Sequence, residues 1–376
     1  MYCKTACKNC QGERMKKIRA RDLGIPFEGT PGESNAITDV PGVTVGYSTI
    51  IEGATARTGV TIIHPRGRQD YTPVFAGIHS FNGNGEMTGM AWVDEGGFLE
   101  GPIGLTNTHS VGIVRDTIIA WQIKNNIQYQ PWSLPVVAET ADAWLNDMNG
   151  FFVKDHHIFH ALDSSTSGAI EEGNVGGGTG MMCYEFKGGT GTSSRKLPEK
   201  LGGWTVGALA QTNFGRRYQL NIAGVPVGKY FKDDAPVTNG ENPFKQDDGS
   251  LIVVVATNAP LLPHQLKRMA KRVALGMART GSIGGNGSGD IFLAFSTANA
   301  QAAHPDKQGI SQIQTLANDH LDPIFAATVY ATEEAIINSM VAAEDMDGHE
   351  ISVKALPHQE LMDIMKKHNR FETIRE

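Results

Sequence analysis

The chain reads as a layered α/β protein with a large share of antiparallel sheet. Short runs rich in Val and Ile alternate with segments whose apolar residues recur at helical spacing. Glycine turns too tight to hold a helical crossover join many consecutive runs. Composition agrees: 40% hydrophobic and 19% charged residues are globular proportions. The unusual count is glycine, 44 of 376 residues, roughly 12% against a usual share of about 7%. There is no collagen period and no low-complexity tract, so the glycines imply tight turns and close backbone approaches.

Residues 35–63 read as short strands broken by Pro-Gly and Gly turns. Residues 71–114 continue that pattern, with FNGNGEMTG at 81–89 as a glycine-rich turn. From Ser110 to Lys124, the spacing of Val111, Val114, Ile118 and Trp121 predicts a helix. PVVAE at 135–139 reads as a buried strand and TADAWLNDM at 140–148 as a helix. Glycine is densest within 164–195, and strands are expected at 204–211 and 219–228. Residues 232–249 are polar and rich in turn formers, the best candidate boundary in the chain. SLIVVVATNA, from Ser250, is an apolar run of strand length. His264–Arg279 is an amphipathic helix, 290–297 a strand, 324–343 a long Ala-rich helix and 358–368 a last short helix.

Lys and Arg total 33 against 40 Asp and Glu, a net charge of −7, which argues against a nucleic-acid partner. No stretch approaches the roughly 18 apolar residues of a spanning helix, and the basic opening lacks a signal-type apolar core. The expectation is a cytoplasmic protein with no membrane partner. Residues 1–19 are expected to form a disordered tail before a single domain at 20–376. Cys3, Cys7 and Cys10 spell C-x3-C-x2-C, a spacing found in iron–sulfur radical enzymes. Only two residues precede Cys3, however, and Asn9 stands where those enzymes usually carry an aromatic. The run is therefore assigned to the tail, with Met15 as an alternative start. No metal or cofactor is expected. His156, His157 and His160 read as a surface cluster, and Cys183, within MMCYEF, as a buried thiol. Gly176, Gly178 and Gly180 resemble the start of a dinucleotide fingerprint. They lack the preceding strand and the distal acidic residue, so close backbone packing is the stronger reading. No G-x-S-x-G elbow is present, although spacing alone leaves a Ser-His-Asp site open.

The sharpest feature is DDGSLIVVV at 247–255, where a polar loop meets a buried strand at Gly249-Ser250. A serine hydroxyl can attack the carbonyl before it, and the resulting ester is cleaved by water. The product is a chain that starts at Ser250, carrying a hydroxyl and a free α-amine on one residue. That amine has a reference pKa of about 7.7–8.0 and can serve as the base. On chemistry alone, Gly-Ser is also a common loop dipeptide.

Ordered blocks make the reading specific. They are NAITDVPGVTVG (35–46), NGNGEMTG (82–89), GFLEGPIGLTNTHSVG (97–112), LPVVAET (134–140), EGNVGGGTGMMCYEFKGG (172–189), ALAQTNFGRR (208–217), DDGSLIVVVATNAPL (247–261) and GGNGSGDIFLAFST (284–297). With these the chain resembles the L-aminopeptidase/D-esterase–amidase family, which includes the β-peptidyl aminopeptidases. The resemblance implies a four-layer αββα sandwich, similar to N-terminal nucleophile hydrolases but differently connected. It implies self-cleavage into an α chain 1–249 and a β chain 250–376, with Ser250 as nucleophile. Ser288 and Asp290 match the pair that orients and polarises it. Asn213 matches the oxyanion donor, and Glu139 the carboxylate that receives the substrate's ammonium. Where relatives carry an aromatic two residues after that glutamate, this chain has Ala141, and Trp144 is the candidate to refill the space. The implied substrates are small peptides, amides or esters with a free amino terminus, including β-amino or D-amino acids. The implied assembly is a homotetramer or homo-octamer. A hydrolase of unnatural amide oligomers is the neighbouring reading, and a nonenzymatic ligand-binding protein on this fold is the reading from another class.

Overall fold

The computed structural model describes residues 17–231, 235–236, 249–304 and 307–371. The three clustered cysteines, Met15 and nearly all of the 232–249 loop lie outside the described residues.

The strands are β1 (Thr44–Glu52), β2 (Ala56–His64), β3 (Val74–Ser80), β4 (Phe98–Leu99), β5 (Ile103–Asn107), β6 (Val136–Thr140), β7 (Met182–Cys183), β8 (Phe186–Lys187), β9 (Gly189–Lys196), β10 (Thr205–Asn213), β11 (Ser250–Thr257), β12 (Ile291–Ser296), β13 (Met346–Asp347) and β14 (Ser352–Val353). The helices are α1 (Met90–Gly96), α2 (Val111–Asn125), α3 (Asp155–Asp163), α4 (Pro263–Arg279), α5 (Asp322–Val341) and α6 (His358–Lys367). One sheet runs β1-β2-β5-β6 and the other β4-β3-β12-β11-β10-β9. Within them the pairings are antiparallel except β5 with β6 and β11 with β12. Parallel neighbours require a crossover, and α2 and α4 supply the two.

Four layers follow from the two-residue period of the strands. On β11, Leu251, Val253 and Val255 face α4 and α5, packing with Met269, Val273, Ala331 and Ala335. The alternate residues Ile252, Val254 and Ala256 face the second sheet, meeting Ile103, Leu105, Val136 and Ala138. On the far side, Val60, Ile62 and Val137 pack against Val114, Ile118, Trp121, Ile158 and Leu162 of α2 and α3. The order helices, sheet, sheet, helices is the expected αββα sandwich. Glycine allows one of its tightest approaches: a Cβ on Gly191 of β9 would lie 2.0 Å from the Ala335 carbonyl oxygen of α5. Among the described residues, no helix is long and apolar enough to cross a membrane.

Three expectations need correction. Residues 140–148 do not form a helix. β6 runs through Thr140, and the chain then makes one turn pinned by buried Asp142, whose carbonyl accepts from Leu145 N (3.1 Å) and Asn146 N (2.8 Å). Asn146 Nδ2 donates to Asp142 Oδ1 at 3.0 Å and Asp147 N to Thr55 O at 2.9 Å, which turns the chain away from helical geometry. Residues 219–228 are not a strand. Ile222 and Val225 exchange backbone hydrogen bonds around Ala223 and Gly224, both at positive φ, and Pro226 has no N–H with which to extend a ladder. The third concerns residues 17–19 of the expected tail, which are fixed on the body: Arg19 Nε lies 2.6 Å from Glu172 Oε2, and Arg19 Nη2 donates to Thr192 O at 2.6 Å.

A buried ion cluster ties α5 to the sheet and to the start of the described chain. Glu334 is fully buried and accepts from Arg195 (2.7 Å), Arg21 (2.9 Å) and Asn35 Nδ2 (2.6 Å). Burial alone would raise its pKa, but Arg195 and Arg21 outweigh burial and hold it below 4.5. The carboxylate therefore stabilises the fold at neutral pH, and this contribution is lost as pH falls through the depressed native pKa. Glu334→Ala strands two arginines and is expected to cost about 3–5 kcal/mol, read as a lowered midpoint in denaturant unfolding.

Candidate active site

The residues implied by the resemblance meet at one end of the sandwich. Ser250 begins β11, Asp290 immediately precedes β12, Asn213 ends β10 beside Ser250, and Glu139 lies near the end of β6. The parallel β11–β12 pairing places the starts of both strands together. All five polar residues are buried: Ser250 4%, Ser288 1%, Asp290 1%, Asn213 8% and Glu139 2% exposed.

Ser250 Oγ donates to the Gly249 carbonyl oxygen at 2.7 Å, and that oxygen also accepts from Gly289 N at 3.0 Å. The carbonyl that would be attacked is thus polarised by a backbone N–H and lies beside the hydroxyl. Gly289 must be glycine for this approach, since a Cβ there would lie 2.5 Å from Asn84 O and 2.8 Å from Ser250 Oγ. Asp290 Oδ1 accepts from Ser288 Oγ (2.7 Å) and Leu251 N (2.9 Å), while Oδ2 accepts from Asn82 Nδ2 (2.7 Å). Asn82 Oδ1 takes the Asp290 N–H at 2.7 Å, so one side chain grips Asp290 at two points.

Asn213 is fixed in orientation. Its Oδ1 accepts from Met182 N at 3.0 Å and its Nδ2 donates to Ala141 O at 2.8 Å. An N–H can meet only the amide oxygen and a carbonyl only the amide nitrogen, so the amide cannot be reversed. Ala141 contributes a backbone carbonyl that any residue would supply.

Glu139 Oε1 accepts from Glu86 N at 2.8 Å, and Oε2 accepts from Thr108 Oγ1. Burial raises the Glu139 pKa above 4.5, opposed by these two donors. The 82–89 turn forms the floor between the two halves of the site: a Cβ on Gly85 would lie 3.1 Å from Glu139 Oε1 and 3.2 Å from Gly289 Cα. Trp144 is 41% exposed and is tethered through its carbonyl to Glu350 N at 3.1 Å. Among the described residues, no group of three His, Cys, Asp or Glu side chains is arranged to hold a metal.

Residues 35–353 match the model of Peptidase family S58. The chain belongs to this family. It is 50% identical over 373 residues to the beta-peptidyl aminopeptidase BapA of Sphingosinicella microcystinivorans, covering 94% of this chain and 93% of that protein. The BapA of Sphingosinicella xenopeptidilytica is 47% identical over 365 residues, covering 93% and 91%. Among solved structures, the L-aminopeptidase D-Ala-esterase/amidase from Ochrobactrum anthropi superposes with a TM-score of 0.86 at 46% identity, covering 94% of this chain and 99% of that one. That protein is described as a prototype of the serine aminopeptidases and a new variant among the Ntn hydrolase folds. A Burkholderia beta-aminopeptidase superposes at 0.84 and 45% identity, covering 93% and 99%. This S58 peptidase is accordingly a hydrolase, a serine aminopeptidase on the Ntn-type sandwich.

Sequence reasoning missed Asn82, Thr108 and the Gly289 N–H. Asn82 and Thr108 lie within matched blocks, but their partners are 208 and 31 residues away. Asn82→Ala removes two hydrogen bonds from Asp290, one of them to the carboxylate, worth about 1.5–3 kcal/mol for a charged group. The expected result in this S58 peptidase is a roughly ten- to hundredfold fall in kcat, with the thermal midpoint lowered by about a few degrees.

Proposed function

We propose that the chain cuts itself between Gly249 and Ser250 and then works as an aminopeptidase through an acyl-enzyme on Ser250. The observation that carries this is the contact of Ser250 Oγ with the Gly249 carbonyl under the Gly289 N–H. In self-cleavage, Oγ attacks the Gly249 carbonyl carbon, the C–N bond breaks and the nitrogen gains a proton. Water then hydrolyses the ester, leaving a carboxylate on Gly249 and a free α-amine on Ser250.

In turnover, the substrate's ammonium sits on Glu139, which sets the distance from the amino terminus to the bond attacked. Ser250 Oγ attacks the substrate carbonyl and its proton passes to the Ser250 α-amine. Asn213 Nδ2 donates to the developing oxyanion, a contact worth about 2.7–4 kcal/mol of barrier. The α-ammonium protonates the leaving amine. Water then attacks the acyl ester, and Ser250 is restored. Ser288 passes the pull of Asp290 to the Ser250 amine and hydroxyl. The small side chain of Ala141 suits N-terminal residues with an extended backbone, and the names of the two BapA relatives point to β-amino acids. D-amino acid amides and esters are the second substrate class. A homo-oligomer is part of the same proposal.

A panel of free and N-acetylated β- and α-aminoacyl p-nitroanilides tests the reading. Free amines are expected to be cleaved and acetylated ones refused, and Ser250→Ala is expected to lack activity. Protonation of Glu139 removes the charge that holds the ammonium, so KM is expected to rise as pH falls, beginning above pH 4.5 because the Glu139 pKa is raised. Glu139→Gln is expected to raise KM at least tenfold and flatten that limb. An unchanged KM in Glu139→Gln would remove Glu139 from substrate binding.

A further inference from the structure

The glycine-rich run that resembles a nucleotide loop has the opposite polarity in the fold. A phosphate cradle turns N–H groups inward. Here the carbonyls of Gly178, Met181 and Gly188 turn toward one buried ammonium, Lys187 Nζ, at 3.4, 3.0 and 2.8 Å. Lys187 is 0% exposed, and these three acceptors match its three donors. Burial pushes its pKa down to about 7, with Lys17 adding to the shift and the Cys183 thiol opposing it.

The cage adjoins the proposed oxyanion donor. Lys187 pairs with Met182 across the β7–β8 hairpin. Its ammonium holds the Met181 carbonyl, and the N–H of that same peptide unit is the Met182 N–H that fixes Asn213 Oδ1. The hairpin turn is built at a cost, because Tyr184 and Glu185 both adopt positive φ (51° and 60°) without being glycine. It is held from outside by Tyr184 N to Phe214 O (2.8 Å), Arg217 Nε to Tyr184 O (3.0 Å) and Tyr184 Oη with Thr280 Oγ1 (2.7 Å).

We infer that Lys187 is a positioning residue for the reaction: by clamping the Met181–Met182 peptide it sets the orientation in which Asn213 offers Nδ2 to the oxyanion. The inference rests on the oxyanion role proposed for Asn213. The three carbonyls take up the Lys187 donors, so its removal is expected to act on kcat and only through Asn213.

A double-mutant cycle tests this with Lys187→Met, which keeps most of the unbranched stem and removes the donors. Rates are normalised to the cleaved chain on a denaturing gel. Lys187→Met is expected to lower kcat at least tenfold with KM within threefold of wild type. In an Asn213→Ala background, the same change is expected to lower kcat less than twofold further. An equal loss in both backgrounds, or a loss confined to KM, overturns the inference and leaves the Asn213 reading standing. Full kcat in Lys187→Met with a large loss in Asn213→Ala does the same. Full kcat in Asn213→Ala overturns the Asn213 reading and this inference with it. If Lys187→Met does not fold, Lys187→Gln, which keeps two N–H donors, carries the same cycle, with a smaller loss that again vanishes without Asn213.

Discussion

The hydrogen bond from Leu251 N to Asp290 Oδ1, 2.9 Å long, joins the start of β11 to the start of β12. Everything at the site hangs on that junction. A parallel pair brings two strand beginnings side by side, and it exists only because α4 carries the chain from the end of β11 back to the starting edge. Ser250 stands one residue before the bond and Ser288 two residues before Asp290. The proposed nucleophile and its proposed polarising pair are therefore fixed by strand register rather than by a flexible loop. The antiparallel neighbour β10 adds Asn213 directly opposite Ser250. The facing sheet adds Glu139 from β6, itself one of a parallel pair with β5.

The same geometry explains how a cut at Gly249–Ser250 is compatible with an intact fold. β10 and β11 would belong to different fragments but share one ladder from Val206–Thr257 to Asn213–Ser250. Leu251, Val253 and Val255 stay buried against α4 and α5, and Ile252, Val254 and Ala256 against the other sheet. Hydrophobic burial on both faces holds the cut strand in place, and the new amine gains only local freedom at the β11 start.

Much of the fold was legible. The apolar run from Ser250 is β11, buried on both faces, and the apolar stripe of His264–Arg279 is α4, each within a few residues of its expected bounds. The misread segments are those where a side chain competes with the backbone period. Asp142 captures the turn after β6, and Pro226 with two positive-φ residues ends the strand expected at 219–228. The site was a different matter. Ser250 stood out through the Gly249-Ser250 junction before a buried strand and became specific only with the resemblance, whereas Ser288, Asp290, Asn213 and Glu139 were named by resemblance to a family and not by spacing, because their meeting depends on long-range pairing. Asn82 and the donor role of the Gly289 N–H were illegible for the same reason, although glycine flanking Ser288 is the residue type that a close backbone approach requires. The glycine excess was legible as tight backbone, but not its sense: the 176–189 run presents carbonyls to Lys187 rather than amides to a phosphate.

The reacting group proposed for this chain is a serine made N-terminal by the chain's own cleavage. Intact-mass analysis under denaturing conditions, on protein that is turning over substrate, tests it most directly. Two polypeptides are expected in equal amounts, roughly two-thirds and one-third of the 40.5 kDa chain, with the smaller one beginning at Ser250. Active protein that remains a single uncut chain, or a smaller fragment that begins at any other residue, would contradict it.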